Sequence, residues 1–195
     1  MIISIRQNIG IEVSHSYVVI IAFFSIIMSG CRQPGGQGLI EVKIKDHRDA
    51  IGDFTSVKVN VQSIRLSPKV GLEFWQLGWL TLNPTVDRID LTQYVGGSTA
   101  TIFRGSMEAR SFEALDLKVS GVNGVLKKDA VRVPISNKLT PIALPWMLNP
   151  GEVITIVLDL SVMDMSDHPP EAYELQLVGY EVYRNGKLID KIPPG

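Results

Sequence analysis

From residue 39 onward, apolar and polar residues alternate along the chain with a period of two. Ile40, Val42 and Ile44 point one way, while Glu41, Lys43 and Lys45 point the other, the pattern of a half-buried strand. Thr55 to Leu66 repeats it with Val57, Val59 and Val61. The apolar phase then shifts to Ile64 and Leu66, which predicts a bulge near Gln62-Ser63. His47 to Asp53 is polar and contains Gly52, so it is expected to be a loop. Leu72 to Asn83 is apolar and aromatic, and Val86 to Leu91 is a further short strand. Phe112 to Val119 is a strand with Leu115, Leu117 and Val119 facing in, beside Glu113, Asp116 and Lys118. Val131 to Ile135 alternates as well, and Asn123-Gly124 between the two carries the signal of a hairpin turn. Leu139 to Leu144 contains Pro141 and so belongs at a sheet edge. Val153 to Val162 is continuous and rich in β-branched residues, the pattern of a buried strand. Tyr173 to Tyr183 and Lys187 to Ile192 form a hairpin across Asn185-Gly186. No segment after Cys31 sustains a helical period. The expected fold is all-β, a single antiparallel β-sandwich of immunoglobulin or prealbumin type over residues 39–195.

The exception to this alternation lies upstream. Val18 to Met28 is an apolar run, interrupted only by Ser25, that ends in Met28-Ser29-Gly30-Cys31, the only cysteine of the chain. A membrane-spanning helix needs about 20 apolar residues. This run is about half that length and suits the core of an export signal. The small residues before Cys31 resemble a lipobox. Residues 1–30 are therefore expected to be a lipoprotein signal peptide with a helical core. Cys31 would be the lipidated first residue of the mature protein, held at a bilayer by acyl chains of the palmitate kind. A spanning anchor and a short buried helix are the alternatives. Residues 31–38 contain three glycines and no apolar residue beyond Cys31, so they read as a flexible tether. Arg32 follows the cysteine where an enterobacterial inner-membrane retention signal would have Asp. The expected address is the extracytoplasmic side of the cell envelope, at the outer membrane if the host has one.

Charge and cysteine usage narrow the function classes. The formal net charge is -1, which offers no electrostatic reason to expect nucleic acid as a partner. A lone cysteine removes disulfides and cysteine-based zinc sites from the mature domain.

A set of strand motifs carries a family likeness: Gly38-Leu39-Ile40-Glu41-Val42, Gly52-Asp53-Phe54, Trp79-Leu80-Thr81-Leu82, Ile89-Asp90-Leu91, Phe112 to Leu117 and Ile154 to Leu160. In this order they resemble the domain of unknown function 4382 family, over roughly Gly38 to Val162. The resemblance implies a β-sandwich domain of prokaryotic lipoproteins and surface proteins, and it implies no particular activity.

Candidate chemistry is sparse. Asp46, Asp49 and Asp53 share one loop and could supply oxygen ligands to a divalent cation, although their spacing is not that of an EF-hand. Asp159, Asp164, Asp167 and His168 lie close together in sequence and read as a solvated loop. Trp75, Trp79 and Trp146 could form a sugar-stacking platform. Trp75, Leu77 and Trp79 share one strand face, however, which equally describes a core face. No nucleophile elbow or metalloprotease helix motif is present, and no motif asks for a cofactor. Three roles follow in order: a structural or interaction lipoprotein of the envelope that is not an enzyme, a carbohydrate- or small-ligand-binding module, and a hydrolase. The partners expected are the bilayer through acylated Cys31 and an envelope protein or glycan.

Overall fold

The computed structural model describes residues 36–69, 78–167 and 172–193. The export signal, Cys31 and Trp75 lie outside them. The described chain runs β1 (Gln37–Asp46), β2 (Phe54–Pro68), β3 (Leu80–Leu82), β4 (Arg88–Asp90), β5 (Ala100–Glu108), β6 (Arg110–Leu126), β7 (Arg132–Pro134), β8 (Ser136–Asn137), β9 (Ile142–Leu148), β10 (Val153–Asp164), β11 (Tyr173–Arg184) and β12 (Lys187–Ile192). Two single 3₁₀ turns, Ala50–Asp53 and Leu91–Gln93, lie between strands. No helix among the described residues is long and apolar enough to cross a membrane.

The strands form two six-stranded sheets. The first has the order β12-β11-β10-β1-β5, with β8 also paired to β11. The second is built on the long pair β2 and β6. Each of these carries two short strands along its far edge: β3 and β4 beside β2, β7 and β9 beside β6. The alternation read from the sequence sets which residues face inward. Ile40, Val42 and Ile44 of β1 and Ile154, Ile156, Leu158 and Leu160 of β10 share one core with Val57, Val59 and Ile64 of β2 and Leu115 and Leu117 of β6. Burying this many aliphatic side chains, at roughly 1.5–3 kcal/mol each, is what offsets the chain's ordering entropy.

The all-β, sandwich-like architecture agrees with the expectation. The purely antiparallel arrangement does not. β1 pairs with β10 in parallel, from Leu39 opposite Val153 to Asp46 opposite Leu160, while its other edge takes β5 antiparallel. Alternation says which face a residue occupies and nothing about the direction of the neighbouring strand. A parallel pair needs a long crossover, and here β2 to β9 make up the crossover. The bulge after Val61 is present: Val61 lies opposite Val119 and Ser63 opposite Lys118, leaving Gln62 without a partner. The hairpin turn at Asn123-Gly124 is not. Both residues lie inside β6, with Gly124 opposite Val57 on one side and Val133 on the other. The chain turns instead beyond Leu126, where Ala130 adopts φ 57°. The antiparallel partnership of β6 and β7 is as expected, and only the corner lies elsewhere.

Candidate functional site

The three tryptophans do not form a platform among the described residues. Trp146 continues the inward phase of Leu144 and Leu148 on β9 and is buried. Its ring stacks on Phe112, the residue opposite it on β6, with centroids 4.2 Å apart and planes 21° apart. Trp79 is 38% exposed. It lies under the guanidinium of Arg65, whose Cζ is 5.2 Å from the ring centroid. Arg65 in turn donates from Nε to the buried Asp116 carboxylate at 2.9 Å, and Lys118 Nζ approaches the same oxygen at 3.1 Å. Trp79 therefore screens a charge cluster on the outer face of the second sheet, a cation–π arrangement.

The three aspartates of the 46–53 segment point different ways. Asp46 is the next inward position of β1 after Ile40, Val42 and Ile44, so a carboxylate arrives at the end of a core stripe and is 1% exposed. One of its oxygens accepts the Arg48 backbone N–H at 2.8 Å. That bond is possible because Arg48 turns into the left-handed region at φ 83°. The backbone around Asp46 is fixed on both sides. Its own N–H donates to Tyr94 O at 2.9 Å, and the next amide, of His47, donates to Leu160 O at 2.8 Å. Asp49 and Asp53 are exposed. Asp49 accepts the hydroxyl of Ser161, a fully buried residue of β10. Among the described residues, no three His, Cys, Asp or Glu side chains gather as a cation site. Asp159, which the sequence places near a loop, lies within β10, buried opposite Lys45.

The outward side chains of β1, β10 and β11 form an ion-pair network over the first sheet. Lys45 Nζ lies 3.3 Å from Asp159 and 3.2 Å from Glu181. Glu181 also meets Lys191 at 3.3 Å and accepts the Tyr183 hydroxyl at 2.5 Å. Glu41 meets Lys43 at 3.3 Å and accepts hydroxyls from Thr101 and Thr155. Glu41, Lys43, Lys45, Thr155, Glu181 and Tyr183 border an open groove of about 570 Å³. Burial works against the charge of Lys45, but the carboxylates of Asp159 and Glu181 outweigh it and hold its pKa above the usual value. The Tyr183 hydroxyl, with Lys45 behind it, keeps Glu181 below the usual carboxylate range. A lysine held charged is neither a nucleophile nor a general base at neutral pH. The face is built to hold strands together. The pairing of Lys45 with Asp159 and Glu181 joins β1, β10 and β11, a grouping the outward phase of β1 hinted at and sequence reasoning did not complete.

Asp46 gives this region a pH dependence. Burial raises its pKa from 3.8 to about 6. The charges of Asp159 and Asp49 add to the rise, while the Arg48 amide and His47 oppose it. A carboxyl raised in the folded state favours its protonated form there. Its contribution is therefore fully present below pH about 4 and is lost as pH climbs through about 6. At about 1.4 kcal/mol per unit, ionised Asp46 costs up to about 3 kcal/mol at pH 7. Asp46→Asn is expected to remove most of that loss. Urea unfolding at pH 4.5, 6 and 7.5 should show the wild type weakening across the series and the variant staying nearly flat. A variant slope equal to that of the wild type would show that Asp46 is not its source.

The two sheets and the core they share define a sandwich-like all-β domain. The chain belongs to the family described as domain of unknown function DUF4382, whose model matches residues 37–175. No curated protein matches the sequence. Among solved structures, a chain from Bacteroides eggerthii DSM 20697, described provisionally as a cell adhesion protein, aligns at 13% identity with a TM-score of 0.35. The alignment covers 78% of this chain and 56% of that one, so this chain spans little more than half the length of the protein it matches. A likeness at that TM-score carries no argument about role.

Proposed function

We propose that the protein is a lipid-anchored cell-envelope lipoprotein whose β-sandwich serves as a structural or interaction domain rather than as an enzyme. The observation that carries the reading is the order of parts along the chain: a short apolar run, Met28-Ser29-Gly30-Cys31, a glycine-rich tether, and a first strand beginning at Gln37. With the first strand starting at Gln37, the tether is residues 31–36 and reaches roughly 20 Å when extended, which keeps the domain near the bilayer surface. The side-chain chemistry agrees with a non-catalytic role. Ser161 is fully buried with its hydroxyl committed to Asp49, and Lys45 is committed to two carboxylates. Membership of a family without an assigned activity leaves this role open to test.

Acylation at Cys31 is the direct test. In cells fed a labelled fatty acid, the wild-type protein is expected to take up label and to enter the detergent phase on Triton X-114 separation. Cys31→Ser should carry no label and should partition into the aqueous phase. Equal labelling of the two would end the lipoprotein reading. The ligand-binding alternative no longer has Trp146, which lies in the core, and among the described residues keeps only Trp79 of its proposed platform.

A further inference from the structure

The outer face of the second sheet carries a different kind of groove from the ion-paired face of the first. Its residues are set by strand register. Val57, Val59 and Val61 of β2 point inward, so Ser56, Lys58 and Asn60 point outward. Lys58 lies opposite Asn123 of β6, and Asn60 lies opposite Arg88 of β4, whose Nε donates to the Asn60 carboxamide at 3.1 Å. Val125 of β6 lies opposite Arg132 of β7. These outward residues line one open groove of about 290 Å³ with three cations, two carboxamides and no carboxylate. A second groove of about 450 Å³ continues from it, sharing Lys58 and Arg88 and adding the hydroxyls of Thr99 and Thr101. Its one carboxylate, Asp90, lies opposite Lys58 and is fixed through one oxygen, which accepts from the Val57 amide at 2.9 Å and from the Thr92 hydroxyl at 2.7 Å.

The charge pattern is unusual for this molecule. The chain as a whole is at -1, and Lys43, Lys45 and Lys191 on the first sheet are each held by a carboxylate. Among the described residues Lys58 and Arg132 make no ion pair, and the Arg88 side chain bonds to Asn60. Unpaired cations on one strand-built face, with neutral hydrogen-bonding groups between them, form a surface complementary to negative charge. β4 and β7 are separated by β2 and β6, so Arg88 and Arg132 stand three strand spacings apart across the sheet, about 14 Å, and are offset by four residues along it, about 13 Å. That span exceeds a single phosphate or sulfate and fits a chain bearing repeated charges. The carboxamides and hydroxyls between the cations suit sugar hydroxyls, which both donate and accept. No aromatic residue lines the first groove, as base stacking would need.

We propose that Lys58, Arg88 and Arg132 form a binding site for an acidic polysaccharide, with Asn60, Asn123 and Ser56 taking its hydroxyl groups. The proposal names a partner for the interaction role above and rests on that role, but it is independent of the Cys31 anchor.

The test uses the full chain in detergent with polygalacturonate and dextran sulfate as probes, neutral dextran as the uncharged control, and inorganic phosphate and sulfate as single ions. Wild type is expected to bind both acidic polymers, less tightly as salt rises, and to ignore neutral dextran. Replacing Lys58, Arg88 and Arg132 together by Gln should weaken binding about tenfold or more. Replacing the exposed Lys69, Arg104 and Lys187 by Gln changes the net charge equally and should leave binding within about twofold. Arg132→Gln alone, on the exposed three-residue β7, should weaken binding without disturbing thermal unfolding, so the site is tested even if the triple variant folds poorly. Equal losses in the two triple variants would mean diffuse charge and would overturn the site. So would wild type that fails to bind either polymer, or that binds the single ions as tightly as the polymers. Cys31→Ser should bind the polymers unchanged, so failure of the anchor and failure of this site are separate results.

Discussion

Trp146→Ala is expected to destabilise the domain by about 3–5 kcal/mol, the range for removing a large buried aromatic. A domain's whole stability is only about 5–15 kcal/mol, so the variant should be partly unfolded at physiological temperature. Two features of the site place it at the upper end. Trp146 lies on β9, whose one ladder partner among the described residues is β6, so it cannot shift into the vacated space without loosening that ladder. Its ring also stacks directly on Phe112, so the cavity would open against a second aromatic that is itself 1% exposed. Trp146→Phe separates volume from chemistry. The indole N–H is buried and meets no hydrogen-bond acceptor among the described residues. Phenylalanine therefore loses volume but also removes an unsatisfied donor, and a cost of about 1 kcal/mol is expected. Urea unfolding of the two variants checks this. If alanine costs no more than phenylalanine, Trp146 is not a core residue and the sugar-platform reading returns.

Gly124→Val should cost about 3 kcal/mol or more, for the opposite reason. Gly124 lies on the inward face of β6 between Val122 and Leu126. A Cβ there would overlap the ring of Phe54 and come within 3.2 Å of Ile135 Cδ1. Phe54 cannot swing aside, because its ring packs edge-on against Tyr173 at 4.8 Å. Overpacking a well-filled core usually costs about 1–3 kcal/mol, and an isopropyl group added against a clamped ring exceeds the middle of that range. Phe54→Leu in the same chain should recover part of the loss, so the two changes are non-additive. Simple additivity of the two substitutions would place the strain elsewhere.

The two Asn-Gly pairs show what a local signal can and cannot say. At Asn185-Gly186 the residues adopt φ 50° and 81°, a tight turn between β11 and β12, as the sequence implies. At Asn123-Gly124 the same dipeptide lies inside a strand, and Gly124 is absent from the left-handed glycines of the described chain. There glycine is needed for space beneath Phe54, and its freedom in φ is not used. The dipeptide is identical, and the difference comes from a ring 70 residues away in sequence. Asp46 is similar. Its inward phase after Ile40, Val42 and Ile44 was readable, yet grouping it with Asp49 and Asp53 as neighbours in a loop concealed that its carboxylate faces the core. Trp146 shares the phase of Leu144 and Leu148, and that period, more than its aromatic character, decided its place.

By itself the sequence determined the all-β class, the inward and outward faces of β1 and β2, the burial of β10, the bulge at Gln62 and the closing hairpin, along with the family. Each of these depends on local periodicity or on turn residues acting within a few positions. The tertiary structure decided the rest. It set the parallel pairing of β1 with β10, the burial of Trp146 against Phe112, the joining of Lys45 to Asp159 and Glu181, and the meeting of Lys58, Arg88 and Arg132 on one face. The physical reason is common to all four. A period-two pattern states which side of a sheet a residue occupies, whereas neighbours across strands are chosen by long-range packing of the whole core, which no window along the chain contains.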